Sequence, residues 1–112
     1  MVKIESIQQQ IIRQKLLLIK KLIYSNKFKI AEREKNRNFM FKYSLLRKDI
    51  KNIILNLQTT DYYHGPELDR AGYSGEIWIF TPIFQDNKIY LKIRIQNDKL
   101  IICISIHEYG NY

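Results

Sequence analysis

The segment from Gly75 to His107 alternates between apolar and polar residues and predicts three antiparallel strands in a meander. In the middle strand, isoleucine or leucine occupies every second position from Ile89 to Ile95 without interruption. A period of two is typical of a strand with one face buried and the other in water. The polar face of this strand consists of Lys88, Tyr90, Lys92 and Arg94. Three cations on one face favour an anionic ligand.

The first half of the chain follows the period of amphipathic helices instead. One helix is predicted from Glu5 to about Tyr24, and another from about Leu46 to Leu57, with a short helix near Phe39 between them. Residues 27–30 are predicted to be extended. The main apolar stripe of the first helix is predicted at Ile4, Ile7, Ile11, Leu18 and Leu22, flanked by Ile12, Leu16, Ile19 and Ile23. This stripe favours packing on the sheet; a helix lying on a membrane surface is the alternative.

Residues 58–75 change character and are predicted to form a long irregular loop. Three of the four glycines and one of the two prolines fall here, and both residue types interrupt regular structure. Tyr62, Tyr63 and His64 lie in this segment. Because loops of this length in a compact domain are usually functional, these residues are candidates for a site.

The hairpin turns predict which residues share the polar face. A two-residue turn at Asn97-Asp98 places Lys92 opposite Cys103, Tyr90 opposite Ser105 and Lys88 opposite His107. A two-residue turn at Gln85-Asp86 places Trp78 and Phe80 in the core and Ile79 and Thr81 on the polar side, whereas a bulge near Pro82 would reverse these faces. The predicted polar patch consists of Lys88, Tyr90, Lys92, Ser105 and His107.

Length and composition indicate one globular domain over residues 1–112, with 46% hydrophobic and 27% charged residues. No apolar run approaches the ~20 residues of a membrane helix, and the N-terminal residues lack a signal-peptide pattern. The single cysteine, Cys103, excludes an internal disulfide and favours a reducing compartment. We therefore expect a cytoplasmic protein.

The net charge of +8 is concentrated in the first half of the chain. Residues 1–56 carry a net charge of +10, and residues 57–112 carry −2. Such a basic field attracts phosphate backbones or an acidic partner. The alternative explanation of the charge is solubility, together with the excess of lysine and isoleucine that an AT-rich genome encodes.

The polar residues suit cleavage of RNA without a metal ion. Two histidines and one cysteine without ligand spacing argue against a zinc site. Attack of a 2′-hydroxyl on the adjacent phosphate needs a base, an acid and cations that stabilise the transition state. Histidine can transfer the protons, lysine and arginine can bind phosphate, and tyrosine can stack on unpaired bases. A solvated sheet face is the alternative to a nuclease site.

Several segments together resemble the MqsR-type toxins of bacterial toxin–antitoxin pairs, over residues 28–109. They are Arg33-Glu34-Lys35-Asn36, Asn56-Leu57, Asp61-Tyr62-Tyr63-His64-Gly65-Pro66-Glu67-Leu68-Asp69-Arg70, Gly75-Glu76-Ile77-Trp78-Ile79-Phe80, Ile89-Tyr90-Leu91-Lys92-Ile93 and Cys103-Ile104-Ser105-Ile106-His107-Glu108. The resemblance implies an α+β, RelE-like fold, with N-terminal helices packed on a C-terminal antiparallel sheet. The N-terminal helix, predicted at about residues 1–26, looks longer than the family usually has and could dock an antitoxin or a second copy.

The resemblance also implies a sequence-selective mRNA endoribonuclease that works without metal or cofactor and is silenced by a cognate antitoxin. The implied catalytic residues are His64, Tyr90, Lys92 and His107, and the implied substrate-binding residues are Tyr62, Tyr63, Lys88, Arg94 and Ser105. Well-known members carry lysine where His64 and His107 stand, and Ile79 occupies a polar family position. Glu76 and Glu108 are expected to orient neighbours or to be structural.

Two other functions are compatible with the sequence. One is a non-catalytic module that binds nucleic acid or protein through the basic face. The other is a toxin of the same fold that cuts RNA only on translating ribosomes. The products of an incubation with naked RNA distinguish the three.

Overall fold

The structure, a computed structural model, describes residues 5–70, 72 and 74–110. The helices are α1 (Ile7–Tyr24), α2 (Glu34–Lys42) and α3 (Arg47–Leu55), and a 3₁₀ turn spans Thr59–Asp61. The strands are β1 (Phe28–Ile30), β2 (Tyr62–Leu68), β3 (Glu76–Phe80), β4 (Ile83–Phe84), β5 (Asn87–Gln96) and β6 (Leu100–Glu108). Within these residues, no helix combines the length and apolar character needed to cross a membrane.

One mixed sheet organises the chain, in the order β1-β6-β5-β3-β2, with β4 paired to the start of β5. The predicted meander is confirmed as β3, β5 and β6, and helices packed on the sheet confirm the α+β class. The extended residues before Ala31 form β1, which pairs in parallel with β6. The sheet is therefore mixed: the predicted antiparallel strands are present, but the parallel pair of β1 and β6 was not predicted. Hydrophobic period cannot distinguish a parallel neighbour from an antiparallel one.

The turn between β4 and β5 is the predicted two-residue turn at Gln85-Asp86. Both residues have positive φ, as the mirror-image hairpin turns require. Its register places Trp78 and Phe80 in the core and sets Ile79 opposite Lys92 on the other face, as predicted.

The predicted loop is wrong in its first part, because residues 62–68 form the edge strand β2. Gly65 allows β2 to lie against β3: its φ is +131°, and a Cβ there would sit 2.7 Å from the carbonyl oxygen of Ile77. Pro66 is tolerated because an edge strand has amides that need no ladder partner. The glycine and proline that predicted a loop therefore mark a tight, bulged edge strand.

The core lies between the helices and one face of the sheet. The α1 side chains in it are Ile12, Leu16, Ile19, Leu22 and Ile23. The predicted main stripe is wrong at Ile7, which is 77% exposed, and at Ile11, which is 45% exposed; Ile4 lies outside the described residues. Two apolar stripes run side by side along α1 with the same spacing, so periodicity alone could not tell which one faces the sheet.

Two shorter helices complete the helical layer. The second predicted helix is confirmed as α3, which buries Ile50, Ile53 and Ile54. The short helix predicted near Phe39 is confirmed as α2, which begins earlier, at Glu34. Its Phe39 packs into the core and lies 4.9 Å from the ring of Tyr43.

Asn36 joins α2 to the part of β6 that β1 does not cover. Its side-chain Nδ2 donates to the carbonyl oxygens of Ala31 at 2.9 Å and Ile104 at 3.0 Å. Its Oδ1 accepts from the backbone N–H of Ile106 at 2.9 Å. Asn36 is 1% exposed, so water cannot replace these bonds. One side chain thus takes the place of a neighbouring strand.

Substitution Asn36→Ala is expected to lower the free energy of unfolding by roughly 2–4 kcal/mol, because it leaves buried backbone groups of β6 without this partner. Urea denaturation followed by circular dichroism measures the change. Asn38→Ala is the matched control, since Asn38 is exposed on the same helix, and should change the value by less than about 0.5 kcal/mol. Equal losses in both variants would contradict this role.

Glu76 links β3 to α1 through Lys15, with 2.6 Å between Lys15 Nζ and Glu76 Oε1. The same oxygen accepts from Trp78 Nε1 at 3.0 Å. Partial burial raises the pKa of Glu76, but the bonds from Lys15 and Trp78 outweigh it, and the net pKa lies below its usual value. This supports the structural role expected for Glu76.

The stabilisation from Glu76 should depend on pH. Because its pKa is lower in the folded than in the unfolded chain, ionised Glu76 stabilises the fold above the unfolded pKa, and that stabilisation disappears as pH falls through the folded value. Unfolding of the parent and of Glu76→Gln, measured at pH 7 and pH 3, should differ more at pH 7. The control is Glu32→Gln, at an exposed position. A gap between parent and Glu76→Gln that is the same at both pH values would refute this prediction.

Candidate active site

Four residues from four strands form one row across the sheet, on the face that points away from α1 and α3. The register sets His64 of β2 opposite Ile79 of β3, Ile79 opposite Lys92 of β5, and Lys92 opposite Ser105 of β6. Directly opposed residues share a face. We call this face the polar face and these residues the cross-strand row. At ~4.8 Å between strands, the row spans about 14 Å.

Tyr90 and His107 form the next row along β5 and β6. Their rings stack with centroids 4.9 Å apart and planes 14° from parallel. The Nδ1 of His107 lies 2.9 Å from the carbonyl oxygen of Glu108. A carbonyl only accepts hydrogen bonds, so Nδ1 carries the proton and Nε2 is the nitrogen that would exchange one. Stack and bond together fix the imidazole, which is 6% exposed.

The predicted pairing of β5 with β6 is wrong by two residues at the site. The turn has three residues, since Gln96 pairs with Leu100, and a bulge after Cys103 adds another shift. Lys92 therefore lies opposite Ser105, and Tyr90 opposite His107. Each shift of one residue turns the following side chains to the other face, so two shifts return Ser105 and His107 to the face predicted for them. The polar patch therefore keeps its predicted members. Residues 100–103, which lie between the two shifts, change face, and Cys103 therefore lies in the core.

Arg33 joins the Ser105 end of the cross-strand row, which the sequence did not predict. Its Nη1 donates to Ser105 Oγ at 2.5 Å and to the carbonyl oxygen of Ile104 at 3.3 Å. Arg33 immediately precedes α2 and is exposed. The position of Arg33 depends on the packing of α2 against β6, since Arg33 and Ser105 are 72 residues apart in sequence. No local pattern indicates a contact of that range.

Two lysines of α2 lie beside His107. Lys35 and Lys42 line a small cavity of about 130 Å³ together with His107 and Glu108. Glu108 accepts hydrogen bonds from Lys42 and from Tyr43, and these bonds hold its pKa below the usual range. This pairing supports the structural role expected for Glu108.

His64 lies at the opposite end of the cross-strand row. It is exposed, and its Nε2 is 3.0 Å from Glu67 Oε2. Beside it, a cavity of about 460 Å³ is lined by Glu67, Leu68, Asp69, Arg70, Ile77 and Lys92. His64 and His107 are three strands apart and do not touch. Lys92 stands between them.

Arg94 was predicted to lie exposed on the polar face, and this is wrong. It is 9% exposed, and its Nη1 donates to Asp69 Oδ2 at 2.8 Å. Asp69 follows β2, so the pair ties the end of that strand to β5. Removing one partner of a buried ion pair leaves a buried charge, which is strongly destabilising. Its partner, 25 residues earlier, was not predictable from the strand pattern.

The two candidate tyrosines of β2 point to different faces. Tyr62 packs on Trp78, with ring centroids 6.0 Å apart, and its hydroxyl donates to the carbonyl oxygen of Gly65. It is partly buried against the core and therefore lies apart from the cross-strand row, on the other face of the sheet. Tyr63 is exposed and contacts Tyr109, and Lys88 Nζ lies 4.5 Å from the centre of the Tyr109 ring.

A family model described as "Motility quorum-sensing regulator, toxin of MqsA" matches residues 13–108. The match begins inside α1 and includes all six strands. No curated protein matches the chain significantly. Among residues 5–70, 72 and 74–110, no group of three or more His, Cys, Asp or Glu side chains is placed to hold a metal ion.

The thiol of Cys103 should be inert in the folded protein. Burial raises its pKa to about 12, so almost none is the reactive thiolate at pH 8. We expect an aromatic disulfide reagent to label it at least about 100-fold more slowly in buffer than in denaturing urea, because labelling requires local or global opening. The chain has one cysteine, so absorbance reports it alone. Fast labelling without denaturant would contradict the placement of Cys103 in the core.

Proposed function

Because the chain belongs to the MqsR family of toxins from toxin–antitoxin pairs, we propose that it is a metal-independent mRNA endoribonuclease. The observation that carries this proposal is the fixed Tyr90–His107 stack beside Lys92 and Ser105 on the polar face. A proton-transfer group next to a cation is what cleavage at a phosphodiester needs.

In the proposed reaction, the phosphate binds at Lys92, with Arg33 as a second cation at Ser105. The 2′-oxygen bonds to phosphorus as it loses its proton, and the P–O5′ bond breaks as O5′ gains one. The products are a 2′,3′-cyclic phosphate and a 5′-hydroxyl. Lys92 and Arg33 stabilise the charge of the pentavalent transition state. Arg94 takes no direct part, because it is buried against Asp69.

His107 and His64 lie on opposite sides of Lys92, as the base and the acid of an in-line displacement must. We assign the first proton transfer to His107 Nε2, with Tyr90 orienting its ring. His64 is assigned the second transfer as the acid, and Glu67 can support the imidazolium that donates this proton to O5′. The exposed position of His64 lets its side chain turn toward a bound phosphate.

A cognate antitoxin is the second partner that membership in the family implies. A basic protein that binds RNA through its sheet can be silenced by any partner that covers the polar face or neutralises its cations. RNA binding should weaken as salt rises, because bound phosphates release counterions.

Purified protein should cut a defined RNA in the presence of EDTA and leave 2′,3′-cyclic phosphate ends. His107→Ala and Lys92→Ala should each lower the single-turnover rate by at least about 100-fold, the usual loss when a proton-transfer or charge-stabilising group is removed. Gel mapping of end-labelled RNA measures both rate and ends. Lys99→Ala is the control, since Lys99 lies exposed in the turn between β5 and β6, and it should cut like the parent.

Other outcomes select other functions. Salt-sensitive RNA binding without any cyclic phosphate product indicates a binding module. Cleavage that occurs only after translating ribosomes are added indicates a ribosome-dependent toxin. Full activity in folded His107→Ala removes His107 from the mechanism.

A further inference from the structure

Tyr63, Tyr109 and Lys88 form an exposed cluster on the polar face. The two tyrosine rings meet edge to face, with centroids 6.0 Å apart and planes at 73°. Their hydroxyls are hydrogen-bonded, and this bond holds the pKa of Tyr63 above its usual value. Lys88 Nζ lies 4.5 Å from the centre of the Tyr109 ring. We call these three residues the tyrosine cluster.

The tyrosine cluster continues the rows of the candidate active site. Lys88 is two residues before Tyr90 on β5, and Tyr109 is two residues after His107. The backbone N–H of Tyr109 donates to the carbonyl oxygen of Lys88 at 2.8 Å, which extends the β5–β6 ladder by one step. Alternate residues lie about 7 Å apart along a strand. The cluster therefore lies one step beyond the Tyr90–His107 stack.

The two tyrosine rings offer exposed aromatic surface on the polar face. Tyr63 is 49% exposed and Tyr109 is 40% exposed, whereas the stacked His107 is almost buried. Tyr63 reaches the face because β2 bulges there: Tyr63 is an extra residue between Tyr62 and His64, whose partners Phe80 and Ile79 are adjacent. Bulges next to active sites commonly re-aim a side chain. Exposed aromatic rings beside a cation are the arrangement on which unpaired bases stack.

We propose that Tyr63 and Tyr109 form a base-stacking subsite for the nucleotide next to the phosphate held at Lys92, with Lys88 contacting the following phosphate. The proposal rests on the function proposed above and adds the path of the RNA. Lys92 and Lys88 are about 14 Å apart along β5, with Tyr90 and His107 midway. The RNA strand thus runs along β5, from the cavity beside Lys92 toward the tyrosine cluster. Stacking makes this subsite tolerant of base identity.

The test uses a fluorescein-labelled 2′-O-methyl oligoadenylate of twelve nucleotides. Its blocked 2′-oxygens prevent cleavage, so anisotropy measures binding alone. Tyr63→Ala and Tyr109→Ala should each weaken binding at least about five-fold, the lower end for loss of one stacked base. Tyr109→Phe keeps the ring and should bind within about two-fold of the parent. Tyr24→Ala is the control for loss of an exposed tyrosine outside the polar face, because Tyr24 lies exposed at the end of α1, and it should have no effect.

A second oligonucleotide separates stacking from electrostatics and from misfolding. It has the same backbone and charge but carries abasic sites at every position. The parent should bind it at least about five-fold more weakly than the oligoadenylate, and Tyr109→Ala should show a smaller difference between the two. An equal difference in parent and variant, or no binding of the oligoadenylate by the parent at low salt, would overturn the proposal.

The two proposals can fail separately. Base-dependent binding that needs both tyrosines, in a protein that cuts no RNA, retains the subsite and removes the nuclease. Cleavage with normal binding by both alanine variants retains the nuclease and removes the subsite.

Discussion

The site depends on the register of β6 against β5, which is set by the bulge after Cys103. Without the bulge, Cys103, Ser105 and His107 would share one face, so either Ser105 and His107 would turn into the core or Cys103 would turn toward the polar face. Two residues of the first half hold the bulge in place. Asn36 bonds the backbone on both sides of Ser105, and Arg33 bonds the Ile104 carbonyl and the Ser105 hydroxyl. The segment Arg33-Glu34-Lys35-Asn36 is thus a structural support for the residues that present the site.

The charge of the first half is less available to RNA than its total of +10 suggests. Lys15 pairs with Glu76, Lys20 donates to the carbonyl oxygen of Leu57, and Arg47 donates to that of Phe28. These cations join helices to one another and to the sheet. Arg33, Lys35 and Lys42 are the ones that the structure places beside His107 and Ser105. The position of a charge on the fold, rather than the count, decides which partner it meets.

Local patterns predicted what local forces determine. The period of β5 gave its two faces, and the Gln85-Asp86 turn gave the register with β3, because turn geometry fixes neighbouring strands. The predictions that were wrong concern residues whose positions depend on contacts between distant parts of the sequence. Arg94 has the spacing of an exposed strand residue, but Asp69 buries it. Residues 62–68 have the composition of a loop, but they pair with β3 because Gly65 permits the close approach. The predicted polar patch is correct although the register was wrong, because two shifts of one residue together leave Ser105 and His107 on the same face of the sheet.

The family resemblance of the sequence implies lysine at the positions of His64 and His107, and the surroundings of both residues suit an imidazole there. A lysine reaches a phosphate on a flexible four-carbon chain, whereas an imidazole is short and must be placed by its neighbours. Tyr90 and the Glu108 carbonyl place His107, and Glu67 pairs with His64. His107 is thereby held rigidly, while His64 stays exposed on a bulged edge strand. In the proposed site, one proton carrier is thus enclosed by its neighbours and the other is exposed at the β2 edge of the sheet. Tyr63 lies at the same edge, so one bulge sets the positions of both the residue that we propose for proton transfer and the residue that we propose for stacking.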